Sequence, residues 1–283
     1  MPPILKAALW MLGTLTSLAC MAIAGRELSA ELSTLQILFF RSIVGLAVIL
    51  LVIWRAGWHH LRTQRPGLQI LRNLAHYTGQ YGWFYGISLL PLAQVFALEF
   101  TTPIWAALLA PLLLGESITP RRALAVAIGF GGILIVVRPG VMPISPAALA
   151  VLAAAIGYAF AYILTKKLTR TETPLAIVFY MCLIQLPLGL IPSLFDWVTP
   201  TSAMWPWIGL VSVTALSAHY CLARAFSLVD AVVVVPMEFL RLPLIAVAGL
   251  LFYGEALDPW VLGGAVMICA GNFMNVWSES RRL

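Results

Sequence analysis

The sequence is short of charge. Only 10% of its 283 residues are Asp, Glu, Lys or Arg, where a soluble domain carries about 25%. A chain this poor in charge cannot cover a water-facing surface. With 61% hydrophobic residues and a mean hydropathy of +0.96, it belongs in a membrane. Cysteine is scarce and scattered. Cys20, Cys182, Cys221 and Cys269 each stand alone in an apolar run, without CxxC or metal-ligand spacing, so neither a disulfide nor a metal is expected. They read as small buried apolar residues. No HisGluxxHis, GlyxSerxGly, P-loop or pair of membrane aspartates occurs. These absences argue against an enzyme, a resident cofactor and an ATP-driven motor, and no catalytic residue is assigned. The net charge of +6 is not a nucleic-acid footprint, because the basic residues lie in short loops between apolar runs, where they set membrane orientation. The first apolar run has no small-residue cleavage site and is followed by many more, so it reads as a retained span.

Apolar runs long enough to cross a bilayer number ten: 4–24, 33–54, 68–89, 91–114, 120–137, 146–166, 174–194, 205–227, 229–252 and 259–277. The loops between them are short and marked by Pro or Gly, as at 65–67, 138–140 and 258–259. With the N-terminus inside, 13 Lys and Arg fall on the inner side, Arg72 counted among them, against Arg26 and Arg138 outside. That asymmetry predicts both termini in the cytoplasm. Arg41 and Arg241 fall within spans.

One stretch occurs twice. Residues 88–132 align without a gap on residues 227–271, shifted by 139, with eleven of 45 positions identical. Among the identities are Glu99/Glu238, Gly115/Gly254, Glu116/Glu255 and Pro120/Pro259. Matched glutamates in segments this apolar point to two homologous halves, 1–140 and 141–283. Five spans per half is an odd number, so the halves must be inverted. The predicted fold class is therefore an all-α integral membrane protein, with ten transmembrane helices as two inverted five-helix repeats. Inverted repeats place a binding site near the bilayer midplane and let access alternate between the two sides.

The segment from Tyr85 to Gly140, with its SLLPLAQVFALEFTTPIWAALLAPLLLGE core, resembles the EamA-type drug/metabolite transporter superfamily, as does the second copy ending in LLFYGEALDP. The resemblance covers the whole chain and rests on the doubled GlyGlu-x-x-x-Pro signature. It implies a ten-span carrier of a bacterial-type inner membrane. Within the superfamily, bacterial amino acid exporters, and YddG-like aromatic amino acid exporters in particular, suggest the substrate: aromatic and other neutral amino acids, exported as small amphipathic metabolites. An exporter of organic cations or drugs is the rival reading, and an intramembrane enzyme the outlying one. The partners expected are a small-molecule substrate and the lipid bilayer, with no nucleic acid and with a monomer taken over a homodimer.

Candidate substrate-binding residues follow from polar groups inside spans. A carboxylate at the bilayer centre costs about 2.5–3.5 kcal/mol on insertion scales, so it needs a partner or a wet cavity. Glu99 and Glu238 sit near the middle of spans 4 and 9, as a ligand for an ammonium or as proton carriers. Arg241, three residues after Glu238, would either bind a carboxylate or neutralise that glutamate. Arg41 reads as a structural partner for a carboxylate. Span 3 offers two helical faces, His76, Gln80 and Phe84 on one, Tyr77 and Tyr81 on the other. His219 in span 8 and Tyr158 with Tyr162 in span 6 complete an aromatic, polar-tipped lining. Glu116 and Glu255, at helix ends, read as turn or interface anchors. Pro103, Pro111, Pro236 and Pro243 permit kinks. The glycines of spans 5 and 10 read as packing within the protomer.

Overall fold

The computed structural model describes residues 3–114, 120–141, 145–168, 171–226, 228, 237 and 240–280. Eleven α-helices are described: α1 (Pro3–Leu28), α2 (Thr34–Ala56), α3 (Pro66–Leu89), α4 (Leu92–Glu99), α5 (Thr102–Leu114), α6 (Pro120–Val137), α7 (Pro146–Leu168), α8 (Pro174–Ser193), α9 (Trp205–Phe226), α10 (Arg241–Tyr253) and α11 (Pro259–Ser280). No strand occurs among the described residues.

Local sequence explains the helix ends. Ser33 and Gln36 form a capping box at the start of α2. Thr173 accepts the Ala176 N–H at the start of α8, with Pro174 in the first turn. α10 stops at Gly254, whose φ of 62° is left-handed, a conformation glycine adopts without a Cβ clash.

Five stretches are long and apolar enough to cross a bilayer: Leu5–Leu28, Thr34–Arg55, Leu92–Leu109, Pro146–Thr165 and Leu175–Asp196. α3 and α9 have the length but carry more polar side chains, and they prove to line the interior. Leu9, Leu12, Leu51, Trp54, Leu134 and Val266 are all more than half exposed, a surface suited to lipid and not to water.

Span 4 is not one helix. It breaks after Glu99, and Pro103 gives the reason. Pro103 has no N–H for the Glu99 carbonyl, which instead accepts the Thr102 hydroxyl at 2.7 Å. The Phe100 carbonyl loses its partner too, because Ile104 N–H turns to Thr101. Asn272 Nδ2, from α11, donates to it at 2.7 Å. Broken backbone at membrane depth is tolerated where protein groups satisfy it in this way. In the second half, α10 occupies Arg241–Tyr253, the positions of α5 shifted by 139.

The helices pack as α1 on α9, α3 on α7, α2 on α8, α6 on α11 and α4 on α10. Small residues permit the closest approaches. A Cβ on Gly264 would lie 2.7 Å from the Gly132 carbonyl oxygen, so α6 and α11 meet backbone to backbone. Arg72, counted from the sequence among the inner-side cations, is buried in α3. Its Nε donates to Thr165 Oγ1 at 3.1 Å and a terminal nitrogen to Asn73 Oδ1 at 2.7 Å. It joins α3 to α7 and is not presented at the loop surface.

Candidate functional site

The break in span 4 leaves Glu99 as the last residue of α4, and the start of α10 presents Arg241. The two meet across the halves of the sequence: an Arg241 terminal nitrogen donates to Glu99 Oε1 at 2.9 Å. The other carboxylate oxygen accepts the Trp83 indole N–H at 2.8 Å. The Arg241 guanidinium lies over the rings of Phe96 and Phe100, at 4.8 and 5.1 Å from their centroids. Glu99 and Arg241 thus form a clasp with both carboxylate oxygens engaged and the cation stacked. The helical spacing had offered Glu238 as a partner for Arg241. Glu238 lies outside the described residues, as does Glu116.

Beside the clasp is a cavity of about 70 Å³, space for a handful of waters at roughly 10–15 Å³ each in this measure. Its wall includes Glu99 and Arg241, His76 and Gln80 of α3, Tyr158 and Tyr162 of α7, and His219 of α9. The structure therefore gathers seven of the sequence-derived candidates around one space. The His76 and His219 rings stand 6.2 Å apart, and His76 and Tyr158 5.6 Å apart. Gln185 Nε2 meets His76 Nδ1 at 3.0 Å, which fixes that ring from α8.

α3 turns only one of its two candidate faces to the cavity. Tyr77 is half-buried and its hydroxyl donates to the Leu188 carbonyl at 3.0 Å. Tyr81 is exposed, stacks on Tyr85 at 6.3 Å and faces a separate surface hollow with Ser29 and Ser88. Neither belongs to the lining.

The lining also contains residues that spacing did not single out: Trp83, Leu18, Met21, Ala215, Ala218 and Leu222. Trp83 precedes Phe84 of the chosen face, and only its bond to Glu99 reveals it. Arg41 of α2 is also there. It is buried, and the titratable groups around it include Cys182, Tyr158, Tyr77, Arg72, His76 and His219. The carboxylate that the sequence led us to expect beside it is not found among the described residues.

His219 also borders a larger apolar hollow of about 830 Å³, which reaches His60 and Thr173 at the loops joining α2 to α3 and α7 to α8. At the opposite end the signature ties helices together. Gly254 turns the chain in a left-handed close, its N–H donating to the Leu250 carbonyl and the Glu255 N–H to the Gly249 carbonyl, each at 3.1 Å. Glu255 Oε2 then accepts the Leu92 N–H at 2.8 Å, capping α4 in the first half. Its Oε1 pairs with Arg26 of α1 at 3.1 Å, and Arg26 also donates to the Leu90 carbonyl. The anchoring role expected for Glu255 is what its contacts display. Arg138 and Asp258 make a second ion pair, between the segments after α6 and before α11.

Known proteins are similar to this chain over nearly its whole length. The profile of the EamA-like transporter family matches residues 5–138 and again 145–277. An S-adenosylmethionine uptake transporter of Rickettsia prowazekii (strain Madrid E) is 26% identical over 99% of this chain and 95% of its own length. A riboflavin transporter of Rhizobium johnstonii is 31% identical over 81% of this chain and 76% of its own. The pseudopaline exporter CntI of Pseudomonas aeruginosa is 30% identical over 86% of each chain. One solved crystal structure shares the fold, with a TM-score of 0.66 at 16% identity over 97% of this chain and 98% of its own. The protein is a multi-pass membrane protein and a small-metabolite transporter: the chain belongs to the EamA-like transporter family.

Proposed function

We propose that this protein is a secondary carrier of the bacterial inner membrane that moves small amphipathic metabolites through the Glu99–Arg241 cavity by alternating access. The observation that carries the reading is the cavity itself. It lies between the sequence halves, at a broken helix, and combines a charge clasp, two histidines, an amide and aromatic walls. Such a lining suits a ligand with a polar head and a ring.

Ten spans in two inverted repeats, divided near residue 140, account for the packing. Exchanging each first-half span for its second-half counterpart turns α1 on α9 into α3 on α7. It leaves α2 on α8, α4 on α10 and α6 on α11 as self-paired contacts. Both termini then face the cytoplasm, the hollow bordered by His219 becomes the inner approach, and the Glu255–Arg26 tie closes the outer end. The transport unit is a monomer.

Amino acids, aromatic ones first, and S-adenosylmethionine are the substrates with the matching chemistry. The latter is suggested by the name of a relative aligned over nearly the full chain. An organic-cation exporter fits less well, because the described carboxylate at the cavity, Glu99, is already neutralised by Arg241. Counterflow in proteoliposomes tests the reading without presupposing net direction. Labelled tryptophan or S-adenosylmethionine should accumulate saturably against the unlabelled compound. Exchange of a lipophilic cation with neither of these would overturn the substrate assignment.

A further inference from the structure

Arg41 is the cavity's uncommitted cation. It is 6% exposed and lines the space, yet it makes no hydrogen bond or ion pair with any described residue. Arg241 is different, since Glu99 and two phenyl rings hold it. A buried guanidinium presents up to five N–H donors in a planar fork that matches a carboxylate. Leaving such a charge unpaired away from water is strongly unfavourable. The same wall holds an orphan of opposite sense. Gln80 is 3% exposed, and its Oε1 accepts no hydrogen bond. Arg41 lines the same cavity as Glu99, Arg241 and Tyr158, so the cation and the clasp border one space.

We propose that Arg41 is the anchor for a carboxylate of the transported metabolite and that Gln80 Oε1 receives the substrate's ammonium. The substrate class is then the aminocarboxylates, amino acids and their larger conjugates, and neutral ring compounds such as flavins are excluded. The inference rests on the carrier reading above and narrows it. Arg241 holds the broken helices together, while Arg41 reads the ligand. Placing the charge on α2 and the amide on α3 makes recognition depend on the distance between two helices. A decarboxylated analogue leaves Arg41 buried and unpaired, so it is rejected by more than the loss of one contact.

The test is counterflow with the full chain in liposomes, using tryptophan and S-adenosylmethionine, then tryptamine and tryptophanamide, which lack the carboxylate, and riboflavin. The wild type should exchange the two aminocarboxylates on the order of tenfold faster or more than the carboxylate-free pair, as loss of a charged hydrogen bond implies. Arg41→Gln should remove exchange of both aminocarboxylates, and Arg41→Lys, which keeps the charge without the fork, should restore part of it. Partial rescue by Lys separates ligand reading from misfolding, and monodisperse elution of Arg41→Gln protein confirms the separation. Equal exchange of tryptamine and tryptophan, or undiminished exchange by Arg41→Gln, would overturn the assignment. Riboflavin exchange without aminocarboxylate exchange would overturn it and leave the carrier reading standing. Exchange of nothing in the panel would bring down both.

Discussion

Arg241 and Glu99 form an ion pair at 2.9 Å between the start of α10 and the end of α4. Each charge occupies the unfavourable end of its own helix dipole, a cation at an N-terminus and an anion at a C-terminus. Neither is stable there alone, and together they join the two sequence halves at the broken span.

Breaking the clasp from one side should therefore be worse than removing it. Glu99→Gln strands a buried guanidinium and should cost about 3–5 kcal/mol of stability. The Glu99→Gln/Arg241→Gln double variant should recover a substantial part of that loss. Thermal unfolding in detergent followed by tryptophan fluorescence measures both. A double variant as unstable as the sum of the singles would show that the two residues act independently.

Glu255 ties α4 to α1 through Leu92 N–H and Arg26. Glu255→Gln keeps the shape and loses the charge, so the tie should loosen and that end of the carrier should open more often. A cysteine introduced at Ala218, in the cavity wall, should then react several-fold faster with a small impermeant thiol reagent applied from that side. Unchanged labelling would mean that the Glu255 contacts are not part of the closure.

Adjacent glycines in α11 should respond differently to the same substitution. A side chain on Gly264 meets the Gly132 carbonyl and Val136, whereas one on Gly263 meets nothing within 4 Å. Gly264→Leu should cost about 1–3 kcal/mol, the usual penalty of overpacking. Gly263→Leu should stay within about 0.5 kcal/mol of wild type. Thermal denaturation of the two variants side by side decides it.

Much of this was legible in the sequence because charge inside an apolar span is conspicuous. Glu99, Arg241 and His219 stand out on hydropathy alone, and the 139-residue shift that aligns Gly115-Glu116 with Gly254-Glu255 reappears in the bounds of α5 and α10. Helical periodicity named both faces of α3 but could not say which turns inward. The packing of Gly79 and Gly82 against α7 decides that, putting His76 and Gln80 in the cavity and Tyr81 outside. Periodicity also reports only neighbours on the same helix. It offered Arg241 either a substrate carboxylate or Glu238, which lies outside the described residues, and could not name Glu99, the partner observed from the other half. For the same reason it gave Arg41 a carboxylate partner that is not found among the described residues.

Substrate protection in a chain whose four native cysteines are replaced by alanine tests most directly whether the Glu99–Arg241 cavity is the transport site. Single cysteines at Ala218, which lines the cavity, and at Tyr81, which lies outside it, would be labelled in proteoliposomes active in counterflow. The transported aminocarboxylate should slow labelling at position 218 and leave position 81 unchanged. Equal labelling at position 218 with and without saturating substrate would contradict the account and place the transport path elsewhere.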